Sequence, residues 1–218
     1  MNRIDRPRQA LAISLAGLAG FVDASGFMAN GGYFMSFMSG NTTRLAVDLA
    51  SNPHRAWVPL SLLLGFIFGV IAGALVAGLA GDRRKPAVLW LVAGVLLGSA
   101  LADMAGWTVP SQAGLVLAMG ALNNTFLRNG EVTVGLTYMT GALVRTGQGI
   151  AAVILGRTSQ SWVPHLALWL ALMAGGITGV VLWLHVGLIT AWVAAVWAAS
   201  MAILVPRFVT PERPIQVA

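Results

Sequence analysis

Six stretches of this chain, roughly residues 9–29, 57–80, 87–105, 111–128, 163–183 and 187–205, are almost unbroken runs of apolar side chains. A helix needs ~20 such residues to cross the hydrocarbon layer of a bilayer. Inside that layer every backbone N–H and C=O must find its partner within the protein, so only helices and closed barrels can span it. Long runs with no alternation of polar and apolar residues are helical. The fold class that follows is an all-α polytopic membrane protein. Charged residues make up only 9% of the chain, against about a quarter of a soluble domain. The spans use up most of the 218 residues, so one integral membrane domain over 1–218 is expected, with no separate soluble domain.

The same composition excludes several classes of function. The net charge of +6 is accounted for by arginines in inward-facing loops, and nucleic acid is not an expected partner. There is no cysteine, so a thiolate metal site is impossible. His54, His165 and His185 are scattered near span ends without ligand spacing. No P-loop, Gly-rich nucleotide motif or Ser-His-Asp set is present, so neither a cofactor nor an enzymatic role is expected. Arg3, Arg6 and Arg8 ahead of an apolar run, with Ala24 and Ser25 behind it, have the outline of a signal peptide. Cleavage is not expected, because this segment has a counterpart deep inside the chain.

That counterpart belongs to an internal repeat. "FMSGNTTR" at Phe37–Arg44 and "YMTGALVR" at Tyr138–Arg145 share an aromatic residue, Met, a small hydroxyl residue, Gly and Arg at an offset of 101. The same offset pairs Asp23 with Asn124. "WVP" at Trp57–Pro59 recurs at Trp162–Pro164, an offset of 105. Two markers in the same order point to a duplication, with repeat 1 about 9–105 and repeat 2 about 111–205.

The two Gly-Arg segments, about 34–50 and 134–155, decide the topology. If they cross the membrane, there are eight spans and two parallel repeats of four. If they dip in and return, there are six spans plus two re-entrant half-helix segments, and two repeats of three spans with inverted orientation. With the N-terminus inside, six spans put Arg83, Arg84, Lys85, Arg128, Arg157, Arg207 and Arg213 on the cytoplasmic side and leave only Arg55 in an outer loop. Eight spans would place "GDRRKP" outside, against the positive-inside rule. Six spans, with both termini cytoplasmic, is the expected arrangement. Glycines four apart, Gly65/Gly69/Gly73, Gly94/Gly98 and Gly175/Gly179, are expected to bring helices close. They serve either packing within one subunit or a homo-oligomer interface.

A re-entrant segment can exist only where protein or a wet cavity surrounds it. Ser39 or Asn41 is expected to cap the first short helix and Thr140 the second, since their oxygens suit free first-turn N–H groups. Two such N-termini meeting near the midplane would attract a polar or anionic solute. Asn41, Arg44 and Asp48 share one helix face, with Thr42 beside them, and Gly141, Arg145 and Gln148 share another. An arginine at the same place in both halves is costly within a membrane and calls for a partner. Asp48 or Asp23 is expected for Arg44, and Glu131 or Asp103 for Arg145. The arginines contact substrate, pin the segments structurally, or snorkel to the headgroups. Asp23 lies within a span, opposite Asn123 and Asn124 by pseudo-symmetry, and either lines a pathway or bonds a neighbour.

The stretch Gly20–Ala50, with Met-Ser-Gly-Asn-Thr-Thr at Met38–Thr43, resembles the signature of the YoaK-like family of small bacterial membrane proteins. Ser39 stands where that signature more often has Thr. The resemblance implies a bacterial inner-membrane protein and no substrate. The expectation for function is a small-solute transporter or channel with a midplane site between inverted halves. The rival is a non-transporting scaffold or partner-binding protein, which would have a dry core.

Overall fold

The computed structural model describes residues 6–128, 131–132, 135–137, 139–157, 162–187 and 189–208, without the side chains of 127, 128, 131 and 132. Eight α-helices occur among them: α1 Arg6–Ala29, α2 Met38–Ser51, α3 Trp57–Ala80, α4 Arg84–Met104, α5 Thr108–Leu122, α6 Met139–Ile154, α7 Val163–Val186 and α8 Ile189–Phe208. The strands among the described residues form a two-residue antiparallel ladder, Leu127–Arg128 with Glu131–Val132. The six long apolar runs and the two shorter Gly-Arg helices thus appear where the sequence placed them. Arg3, Tyr138 and Arg213 lie outside the described residues, as does the side chain of Glu131.

Two ends differ from expectation. The helix of the fourth run stops at Leu122, and Asn123–Phe126 form a 3-10 turn. Side chains compete with the backbone there: Asn123 donates to the Met119 carbonyl, Asn124 to Ala121 and Val70, and Thr125 to Leu122. At the other extreme, α8 runs beyond the expected end near 205, through Pro206 to Phe208.

Helices α1, α4, α5 and α8 form the centre. Helix α7 lies on α1 and α3 on α5, while the short helices α6 and α2 lie on α7 and α3. The outer helices are highly apolar yet exposed. Ile67, Phe68, Leu75 and Leu79 of α3, and Ile177, Val181 and Leu184 of α7, face outwards. Such a belt is stable only in lipid.

The α1–α7 and α3–α5 contacts are built alike. Glycine is required at each crossing, because a Cβ would enter the facing backbone. Gly175 abuts the Gly17 carbonyl, Gly20 that of Leu172, and Gly179 that of Phe21. Gly69 abuts the Leu117 carbonyl, Gly120 that of Phe66, and Gly73 lies on Ala121. The second set is the first shifted by 100 residues in α1/α5 and 106 in α3/α7. Gly81 and Gly187, also 106 apart, end α3 and α7 in the same conformation, φ 52°, ψ −119° and φ 48°, ψ −101°. That region is open to glycine alone. On this register Asp23 corresponds to Asn123, one residue from the Asn124 expected from the motif offset.

Helix directions follow from the contacts. The C-terminal ends of α1, α4 and α7 and the N-terminal ends of α5 and α8 converge at one end of the bundle. Arg6 of α1 meets Phe208 of α8 at the other. Helices α1 and α5 therefore run in opposite directions. The end carrying Arg6 and Arg8 also receives Arg83, Arg84, Lys85 and Arg207, whereas Arg55 lies at the opposite end.

Candidate functional site

After α1 the chain folds back along it. Asp23 accepts hydrogen bonds from the Ser36 (2.6 Å) and Phe37 (3.4 Å) backbone N–H groups, so residues 30–37 descend to a turn and a half below the end of α1. Helix α2 then leads back, and α3 begins at the same end. Asn41 is fully buried and bridges the main chain of Phe34: its Oδ1 accepts from the Phe34 N–H at 2.9 Å and its Nδ2 donates to the Phe34 carbonyl at 2.7 Å. The Asn41 side-chain amide thus satisfies both main-chain polar groups of Phe34, outside any helix or sheet. This corrects the capping expectation. Neither Ser39 nor Asn41 caps α2, whose N-cap is Phe37 without a side-chain bond. The Asn41 amide is committed to the descending segment instead.

The partner expected for Arg44 is also corrected. Asp48 accepts from the Tyr33 hydroxyl at 2.7 Å, and Asp23 is taken by backbone N–H groups. Among the described residues no carboxylate forms an ion pair with Arg44. Its guanidinium lies over Phe27 (5.7 Å) and Tyr33 (5.2 Å), within cation–π range. Phe27, Phe34 and Phe37 stack in sequence beside it, with centroids 4.8 and 5.1 Å apart. Thr42 is exposed and bonds back to Met38.

The second motif is assembled differently. Asn123 Oδ1 accepts from the Thr137 hydroxyl at 3.2 Å, holding the approach to α6 as Asp23 holds the approach to α2. Asn124 ties α5 to α3 through Val70. Thr140, Arg145 and Gln148 lie on the exposed side of α6, while Ala142, Thr146 and Gly149 face inwards. The structure thus gathers Asp23, Asn41 and Arg44 with Tyr33 and Asp48, places Asn123 with Thr137, and keeps Arg145 and Gln148 apart from both. A groove beside Asp23, between α1 and α7, is lined mainly by apolar side chains such as Phe27, Leu172 and Ile177.

A more polar cavity, about 270 Å³, lies where helices from the two halves converge. Ser25 and Gly26 of α1, Asp103 of α4, Thr108, Ser111 and Gln112 of α5, Trp183 of α7 and Thr190 of α8 line it, with Val22, Leu115 and Ala194. Below these, Leu15, Leu18, Met119 and Ala198 are buried in the continuous core. At three positions equivalent to the cavity at the other end of the bundle, the described residues are bulkier and buried. Buried Phe126, Leu11 and Lys85 stand where the cavity has Gly26, Ser111 and Ala191. Sequence reasoning considered Asp103 only as a distant partner for Arg145 and passed over Gln112 and Thr190. A usable signal existed: Asp103 occupies the last turn of α4, where a negative charge opposes the helix dipole.

Residues 11–204 match the family described as "Protein of unknown function (DUF1275)". The chain is 36% identical over 201 residues to the UPF0700 transmembrane protein RA0705 of Rhizobium meliloti (strain 1021), covering 91% of this chain and 87% of that protein. No solved structure matches at a significant level. The apolar belt, the buried helical centre and these likenesses agree with the resemblance of the Gly20–Ala50 signature, and the chain is a multi-pass membrane protein that belongs to the DUF1275 family.

Proposed function

We propose that the protein is a small-solute carrier of the bacterial inner membrane, with both termini cytoplasmic and two inverted repeats of three spans each, about 9–105 and 111–205. In this reading α2 and α6 are re-entrant. Helix α2 enters from and returns to the periplasmic end, and α6 does the same at the cytoplasmic end. The support is the matched glycine contacts, the opposed directions of α1 and α5, and the cations gathered at the α1 N-terminal end. The observation that carries transport is the polar cavity between the halves, whose Gly26, Ser111 and Ala191 have the bulkier, buried Phe126, Leu11 and Lys85 at the corresponding positions of the other end. A polar cavity at one end whose counterpart positions carry bulkier buried side chains suits alternating access better than a continuous channel. At about 270 Å³ it falls just below the ~300–1,000 Å³ of drug-sized ligand sites, so the solute is small.

The rival reading, a non-transporting scaffold, draws on Asp23, Asn41 and Asn123, whose polar atoms bond within the fold. Proteoliposomes test the two. A carrier gives saturable uptake and counterflow for at least one solute in a panel of small amines, anions and amides, and a bulky substitution such as Ala191→Trp in the cavity wall abolishes it. Absence of flux across the whole panel from folded, correctly oriented protein would leave the scaffold.

A further inference from the structure

We infer that the cavity at the periplasmic end recognises a small ammonium-type cation, with Asp103 as its counter-charge; the inference rests on the carrier reading for its role in transport, but not for the binding itself. Among the described residues Asp103 is the only charged side chain lining the cavity, and no Lys, Arg or His of theirs joins it. No hydrogen-bond donor among the described residues reaches its carboxylate. Its position in the last turn of α4 costs the helix electrostatically, so helix stability does not account for it.

The neighbouring hydroxyls reinforce the sign. Ser25 gives its proton to the Phe21 carbonyl at 2.7 Å and Thr190 gives its proton to Gly187 at 2.6 Å. Both therefore present only lone pairs to the cavity, which accept from N–H donors. Trp183 supplies an indole wall, the ring that best accommodates a cation. Gln112 adds an amide that can accept as well as donate. A protonated amine satisfies all of these groups. An anion would face the carboxylate, and of the four hydroxyls in the lining those of Ser25 and Thr190 have no free proton to offer it.

The absence of native cysteine permits a test that needs no known substrate. In the full-length Gln112→Cys protein, the thiol is modified from the periplasmic side with a cationic trimethylammonioethyl or an anionic sulfonatoethyl methanethiosulfonate. The ratio of the two rates is divided by that for N-acetylcysteine in solution. The expected ratio favours the cationic reagent on the order of tenfold, as one nearby charge in a partly wet site dictates. Adding Asp103→Asn should bring it to about one, and Asp103→Glu, which keeps the charge, should preserve it. Equal rates, an anionic preference, a bias that survives Asp103→Asn, or a thiol that reacts with neither reagent would each overturn the inference. Uptake of methylammonium, acetate and acetamide into proteoliposomes separates the two claims. Flux of acetate or acetamide but not methylammonium overturns the cation assignment and leaves a carrier. A labelling bias without flux of any solute upholds the cation site and removes the carrier.

Discussion

Adding one methyl group at Gly175 should unfasten α7 from α1. A Cβ there would enter the Gly17 carbonyl oxygen, a backbone atom that cannot rotate aside, so the two helices must separate along the whole crossing. Overpacking of this kind costs ~1–3 kcal/mol. The control is Gly94 on α4, where a Cβ meets nothing within 4 Å. There Gly→Ala should stabilise by up to ~1 kcal/mol through helix propensity. The two variants should therefore differ by about 1–4 kcal/mol, which for a chain of this length separates their melting temperatures by several degrees and up to roughly 15 °C. Gly69→Ala, its counterpart at the α3–α5 crossing, should behave like Gly175→Ala. Thermal unfolding of the purified variants in one detergent reads all three. Equal melting of the Gly175 and Gly94 variants would refute the close crossing, and opposite behaviour of Gly69 and Gly175 would refute their equivalence.

Asn41→Ala leaves the part-buried Phe34 N–H and C=O without their partner and should lower stability by about 1–3 kcal/mol, seen as loss of monodisperse protein in size-exclusion chromatography; normal melting would show that the bridge is dispensable. Arg44→Lys should cost about 0.5–2 kcal/mol through lost stacking on Phe27 and Tyr33, while Arg145→Lys on the exposed side of α6 should leave melting unchanged. Equal losses would contradict the unlike surroundings of the two arginines. A cysteine at Asp82 should label only from the cytoplasm and one at Asn52 only from the periplasm, and labelling of Asn52 only from the cytoplasm would restore eight spans.

The long apolar helices were legible because length and apolarity are read directly from the sequence. The Gly-Arg motif was legible as a repeat, but its partners were not. Asp48 lies one turn from Arg44 on the same helix, and sequence spacing therefore pairs them. What sequence spacing cannot show is that residues 30–37 descend beside α2 and bring Tyr33 to Asp48 and the Phe34 main chain to Asn41. The one-residue error in pairing Asp23 with Asn124 has a similar origin. The motif lies beyond a stretch of sequence that is one residue longer in the second half, so its offset of 101 does not carry back to α1 and α5, where 100 holds. The cavity was invisible for a different reason. Ser25, Asp103, Gln112 and Thr190 sit near the ends of four separate helices, each an ordinary polar residue at a span boundary, and only helix directions bring them together.

The crossings of α1 with α7 and of α3 with α5 also govern how the chain can be made. Helix α1 leaves the ribosome well over a hundred residues before α7, so its Gly17–Gly20 groove is inserted into the bilayer with lipid in the place of its partner. A chain stopped after α4 lacks the partner of both α1 and α3, and neither half is a folding unit by itself. Assembly therefore waits for the last third of synthesis, and the early spans are open to quality-control proteases for that interval. Two separate copies of one half, inserted in opposite directions, could make the same pair of crossings between them. The covalent link between the halves ensures that each α1 finds its α7 in the right orientation, which a free half would have to find by chance.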